Sequence, residues 1–115
     1  MNRILPQNVP VSVVHLMAIL DDVKAALRIS NVQTAFDDEI NSLIAAARQD
    51  LILSGLLASK ANDDEDALIK RAITVYVKCH FGWDNPDHER LLRAYEMLKN
   101  HLTLSAEYTV QPEGG

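Results

Sequence analysis

Cys79, His80, Asp84 and His88 are the residues of this 115-residue chain whose types and spacing could support chemistry. A thiol, two imidazoles and a carboxylate in one short stretch are the donors that bind a transition metal or activate a nucleophile. The spacing argues against both uses. Gly82 and Pro86 interrupt the stretch, so the four do not share one helical face. Neighbours such as Cys79 and His80 point about 100° apart on a helix. There is no second cysteine and no His-Glu-x-x-His pattern. His80 therefore reads as a partly buried polar cap. Asp63-Asp64-Glu65-Asp66 lacks the glycine and spacing of a calcium loop. The Gly-Gly pair at the C-terminus makes no phosphate loop. No catalytic residue, metal or cofactor is expected, and an enzyme is not.

The elements that carry these residues read as helices. An N-terminal arm, residues 1–19, holds Pro6 and Pro10 and is apolar on both alternating faces (Val11, Val13; Val14, Leu16). It is expected to be extended and covered by a partner. A short helix from about Leu20 to Ile29 follows, with Leu20, Val23 and Leu27 on one face and Ser30-Asn31 at its end. A second helix from about Asp37 to Leu53 has Asp37 or Asp38 as cap, acids facing its positive end, and Ile40, Leu43, Ile44, Ala47 and Leu51 inward. Gly55 suits a left-handed stop.

Leu56 to Glu65 reads as a loop. The third long pattern, about Asp64 to Phe81, carries Leu68, Ile69, Ala72, Ile73, Tyr76, Val77 and His80 over more than one stripe, which makes it the most buried helix, and Gly82 stops it. Phe81 and Trp83 read first as a hydrophobic plug over the bundle end, and otherwise as a protein-contact anchor. Asp84 or Asn85 caps the last helix, with Pro86 in its first turn and Leu91, Leu92, Tyr95, Leu98 and Leu102 inward. Tyr76 and Tyr95 pack the last two helices together. The tail, residues 105–115, is expected to fray beyond Tyr108. The fold class is all-α: about four helices in residues 20–104, an extended arm and a short flexible tail.

Composition bounds the function. The hydrophobic fraction of 48% and the length suit one folded domain. The single cysteine excludes an internal disulfide and fits a reducing compartment. Val9 to Leu20 is too short to span a bilayer, which takes roughly 20 residues. It also fits a signal peptide poorly, so a soluble, non-exported protein without membrane contact is expected. The net charge of −5 disfavours dedicated nucleic-acid binding. Its distribution is uneven: residues 36–66 hold eight acids against two bases, and residues 67–104 six bases against four acids. Beside an ordinary solvated face, that asymmetry permits a head-to-tail contact between unlike surfaces of adjacent subunits.

The order of segments carries a resemblance. Leu20-Asp21-Asp22-Val23-Lys24-Ala25-Ala26-Leu27-Arg28-Ile29 resembles the opening block of the tailed-bacteriophage head–tail connector, or adaptor, family. Phe36-Asp37-Asp38-Glu39-Ile40-Asn41-Ser42-Leu43-Ile44-Ala45-Ala46-Ala47 is similar to its second helix. Asp66 to Phe81 and Asp87 to Leu102 are similar to its central and last helices. The arm before Leu20 is longer than is usual there, and Cys79-His80-Phe81-Gly82-Trp83 replaces a polar turn.

The resemblance implies a non-enzymatic structural subunit without cofactors. Such subunits form a ring, of about twelve copies, by head-to-tail contacts. The ring sits beneath the portal protein at the virion head–tail junction after synthesis in the host cytoplasm. It extends the DNA channel after packaging and docks a downstream stopper or tail protein, while DNA passes without sequence-specific binding. The expected subunit interface sets Asp37, Asp38, Asp50, Asp63 and Asp64 against Lys70, Arg71, Arg90 and Arg93 of the next copy. Val11, Val13, Leu16, Phe81 and Trp83 are the expected partner contacts. The alternative is a small helical DNA-binding or partner-binding regulator. The last helix, its nearest candidate for groove reading, mixes Asp87, Glu89 and Glu96 among its bases.

Overall fold

The structure, a computed structural model, describes residues 11–112, with side chains from residue 19 onward. Residues 1–10 and 113–115, and the side chains of Val11, Val13 and Leu16, lie outside the described residues. The chain forms α1 (Val11–Ala26), α2 (Asp37–Leu53), α3 (Ala58–Ala61), α4 (Ala67–His80), α5 (His88–Thr103) and α6 (Ala106–Thr109). The all-α expectation holds, with four long helices and two single turns among the described residues.

Three expected segments differ. Helix α1 is described from Val11, so residues 11–19 of the expected extended arm are helical. From Val11 to Ser54 the sequence has neither proline nor glycine. Apolar residues on both alternating faces also suit a helix that is apolar on most sides, and the β-branched valines cost a helix only a few tenths of a kcal/mol each. The expected loop after Gly55 contains α3, whose Ala61 is buried and offers its carbonyl to Arg48 Nη1 at 3.0 Å. The tail begins with α6. Tyr108 is buried, its carbonyl accepts the Leu57 N–H at 2.9 Å, and its hydroxyl donates to Asp66 at 2.9 Å. Burial first, and the Asp66 hydrogen bond second, push the Tyr108 phenol up to about 12.

Helix ends show how local chemistry sets the boundaries. Helix α2 closes with two reversed bonds, Leu56 N–H to the Leu51 carbonyl at 3.1 Å and Gly55 N–H to that of Ile52 at 3.0 Å. Gly55, at φ +122°, supplies the turn that this motif needs. Helix α1 closes in the same way, Ile29 to Lys24 at 2.9 Å and Arg28 to Ala25 at 3.0 Å, but with Arg28 at φ +63°. This stop precedes Ser30-Asn31. At the start of α2 the boundary residue is Phe36, and neither aspartate caps by side chain. Asp37 turns instead to Lys24, with Nζ at 2.8 Å. Helix α4 is capped by Asp66, whose Oδ1 accepts from Leu68 N–H at 2.9 Å and Ile69 N–H at 3.1 Å.

Helix α4 is the centre of the molecule, packed against α1, α2 and α5. Six of its residues are buried: Ile69, Ala72, Ile73, Val75, Val77 and Cys79. Leu68 and His80, expected inward, are exposed. Ile40, Ile44, Ala47 and Leu51 of α2, and Leu91, Tyr95 and Leu102 of α5, close on the two sides, with Ile19 and Val23 from α1. Tyr76 and Tyr95 meet edge to face at 5.1 Å, as the sequence suggests.

Candidate functional site: assembly surfaces and the α4–α5 turn

Acidic and basic residues expected at a subunit contact divide into those already used inside the subunit and those left outside. Asp37 holds the buried Lys24, whose Nζ also donates to the carbonyls of Gln33 and Asn31. Asp64, 8% exposed, pairs with Arg48 Nη2 at 2.7 Å. Asp50 accepts the Tyr95 hydroxyl at 2.6 Å and Lys99 Nζ at 3.1 Å. Burial acts to raise the Asp50 carboxyl, but the two hydrogen bonds and the Lys99 charge outweigh it, and its pKa is lowered. Burial and the same bond push the Tyr95 phenol far above its ordinary range. Lys99 is thereby turned inward and does not extend the basic side of α5. Asp63 is half-buried and binds the Glu65 N–H at 3.0 Å.

The remaining charges face outward. Asp38, Arg71 and Arg93 are exposed, and among the described residues no carboxylate is seen paired with either arginine. Arg90 reaches Asp87 at 3.4 Å and Lys70 reaches Asp22 at 3.0 Å, both pairs wet and weak.

Spacing organises these residues into two unlike faces. Asp38, Ser42, Ala45, Gln49 and Leu53 are all exposed and recur at three- and four-residue steps along α2. Arg90, Arg93 and Met97 do the same along α5, and exposed Leu104 follows seven residues after Met97, just beyond the helix. One face is acidic at one end, small-sided and apolar at the other. Its counterpart is cationic and then apolar. Both helices pack on α4, and both rows are exposed, so one subunit presents the two at once.

At the turn between α4 and α5, Trp83 is fully exposed. It covers nothing, so the plug reading does not hold for it. Phe81 is half-buried and stacks edge to face on Phe36 at 5.6 Å. The turn is fastened from within. Asn85 Nδ2 donates to the Lys78 carbonyl at 2.7 Å, and Asn85 Oδ1 accepts the Asp87 N–H at 3.0 Å. Asn85 thus fastens the Pro86-Asp87 turn, but neither it nor Asp84 caps the helix as expected. The boundary residue is Asp87, which makes no side-chain cap bond, and the regular helix starts at His88 and not at Pro86.

That turn brings three of the four chemistry-bearing residues together. Cys79 Sγ lies 3.4 Å from His88 Nδ1, and the donor atoms of Cys79, His80 and His88 all lie within 4.8 Å of one another. His88 Nδ1 is also 2.9 Å from the Cys79 carbonyl oxygen. Reasoning from one helical face missed this, because the return of the chain places the first residue of α5 beside the last turn of α4. Burial pushes the Cys79 thiol up. His80 is an exposed ring tilted against Tyr76, with centroids 4.4 Å apart, not a partly buried cap. Desolvation by its neighbours lowers its pKa, the His88 charge adds to this, and Asp50 opposes it. Asp84, exposed, lines the same cavity, about 390 Å³, as these three residues.

Comparison with known proteins gives a family. The profile described as "Phage connector protein" matches residues 19–109, from the last part of α1 to the end of α6. No curated protein and no solved structure matches significantly. The match covers most of the chain, which therefore belongs to the phage connector protein family, a structural component of the head–tail junction. Among the described residues no helix is long and apolar enough to cross a membrane.

Proposed function

We propose that this phage connector protein is the repeating subunit of a ring under the portal protein. The ring extends the DNA channel after packaging and offers its far side to a stopper or tail protein. The observation that carries this reading is the family match over residues 19–109. The two unlike faces support it, because a closed ring needs two different, mutually complementary surfaces on every subunit.

In this proposal the α2 face of one subunit lies against the α5 face of the next. Asp38 meets Arg90 and Arg93, and Leu53 and Met97 bury apolar area beside them. Asp63 with Lys70 and Arg71 supplies a secondary pairing at the rim. Asp37, Asp50 and Asp64, neutralised within the subunit, orient α2 and its loop and do not cross the contact. Trp83 at the exposed turn is the anchor for the portal or the downstream protein, since exposed aromatics with a rigid backing concentrate binding energy. The subunit performs no catalysis in this role, and DNA passes it without sequence reading.

The test is the mass of the protein alone and mixed with a portal, by light scattering and electron microscopy. A discrete ring in either condition is expected; a strict monomer in both overturns the proposal. Tight duplex binding in a low-salt gel shift would favour the regulator alternative instead.

A further inference from the structure

We propose that Cys79, His80 and His88 form a binding site for a late transition-metal dication of the zinc class. The donor atoms come from the end of α4 and the start of α5 and lie within 4.8 Å of one another. In a tetrahedral zinc site, bonds of about 2.3 Å to sulfur and about 2.0–2.1 Å to nitrogen place neighbouring S and N donors about 3.6 Å apart. Cys79 Sγ and His88 Nδ1 are 3.4 Å apart, close to such an edge. In the metal-free chain Nδ1 donates to the Cys79 carbonyl oxygen at 2.9 Å; on taking the ion it gives up that bond and leaves its proton on Nε2. One thiolate with two imidazoles is a donor set suited to zinc, cobalt or nickel and ill suited to calcium or magnesium.

Access and backing are both present. The cluster opens on a cavity of about 390 Å³ that His80 also lines, so an ion can enter and a water can complete its coordination. Cys79 is 2% exposed and fixed in the core, which gives the site one rigid donor. Binding replaces the thiol proton by the metal and releases that proton to solvent. The His88 ring binds through an unprotonated nitrogen and keeps its other N–H. The bound ion would tie α4 to α5 across the turn that carries Trp83, so its structural effect is to stiffen the tip of the molecule.

The full, untagged chain stripped with chelator and titrated with Co²⁺ tests this. Expected are one Co²⁺ per chain, a sulfur-to-cobalt charge-transfer band, and quenching of Trp83, the sole tryptophan, which lines the cavity. Cys79→Ser should abolish the band. His80→Gln, at an exposed position that leaves the helical circular dichroism unchanged, should weaken binding tenfold or more. Zn²⁺ should compete with Co²⁺ and raise the melting temperature of the wild type but not of Cys79→Ser. Absence of the band, or equal affinity in wild type and His80→Gln, overturns the site and leaves an adventitious ion only.

Discussion

Arg28 sits at φ +63°, a conformation that costs an L-residue roughly 1–2 kcal/mol and glycine little. It does so because the closing bonds of α1, Ile29 to Lys24 and Arg28 to Ala25, require a left-handed residue there. Arg28 is exposed, so its side chain offers little packing in return. Arg28→Gly is therefore expected to stabilise the fold by about 1 kcal/mol, and to raise the melting temperature by roughly 4–8 °C in a calorimetric scan. Lys24, two residues before the end of the same helix, is the opposite case. Its ammonium is 1% exposed and survives on Asp37 and two carbonyls. Asp37→Ala strands that charge and should cost about 3 kcal/mol in urea unfolding, within the range for breaking buried pairs. Lys24→Met, which removes the charge along with the need for a partner, should cost much less than Asp37→Ala. In the sequence Asp37 looks like a cap or a dipole partner, and those local roles conceal its actual one, because its cation belongs to another helix.

Helices α4 and α5 are held to their neighbours by two buried-edge carboxylates, and each gives a prediction. Asp66 both caps α4 and receives the Tyr108 hydroxyl of α6. Asp66→Ala should cost about 2–3 kcal/mol, the sum of a cap and a charge-assisted bond, whereas Tyr108→Phe removes only the second part. The double variant should then destabilise by less than the two single losses together, a coupling that urea titrations measure. Asp50 joins α2 to α5 through Tyr95 and Lys99, and its folded pKa lies below its unfolded one. Its stabilisation is complete above the unfolded carboxylate pKa of about 3.9 and disappears as pH falls through the folded value. Between about pH 4 and pH 2 the wild type should lose more stability than Asp50→Asn. The apolar spacing of α2, α4 and α5, the stop at Gly55 and the Tyr76–Tyr95 contact were legible in the sequence, because each follows from helical period or local backbone chemistry. The Asp50–Tyr95 and Asp66–Tyr108 pairs span more than 40 residues, and no local pattern encodes them. The Cys79–His88 approach depends on how a turn redirects the chain, so the candidate metal site was legible in its residues and not in its geometry.

For the whole molecule the useful quantity is charge left over after internal pairing. The large acidic excess of residues 36–66 shrinks outside the subunit once Lys24 and Lys99 have taken Asp37 and Asp50 and Arg48 has taken Asp64. What remains on the outer face of α2 is Asp38 at one end and Leu53 at the other; α5 offers Arg90, Arg93 and Met97. Few charges on each side mean that the proposed contact is oriented by electrostatics and held by apolar burial, so salt should slow assembly more than it dissolves the product. Arg90→Glu with Arg93→Glu changes two exposed residues and should leave the subunit within about 0.5 kcal/mol of wild type. Ring yield in the presence of the portal should nevertheless fall by at least tenfold, and adding Asp38→Arg should recover part of it by swapping the signs across the contact. Ala45→Glu, in the middle of the small-sided α2 face, should block assembly at any salt concentration while the monomer folds normally. Light scattering on these variants separates the two contributions. Rings that persist undiminished in both the double reversal and Ala45→Glu would move the contact away from α2 and α5 altogether.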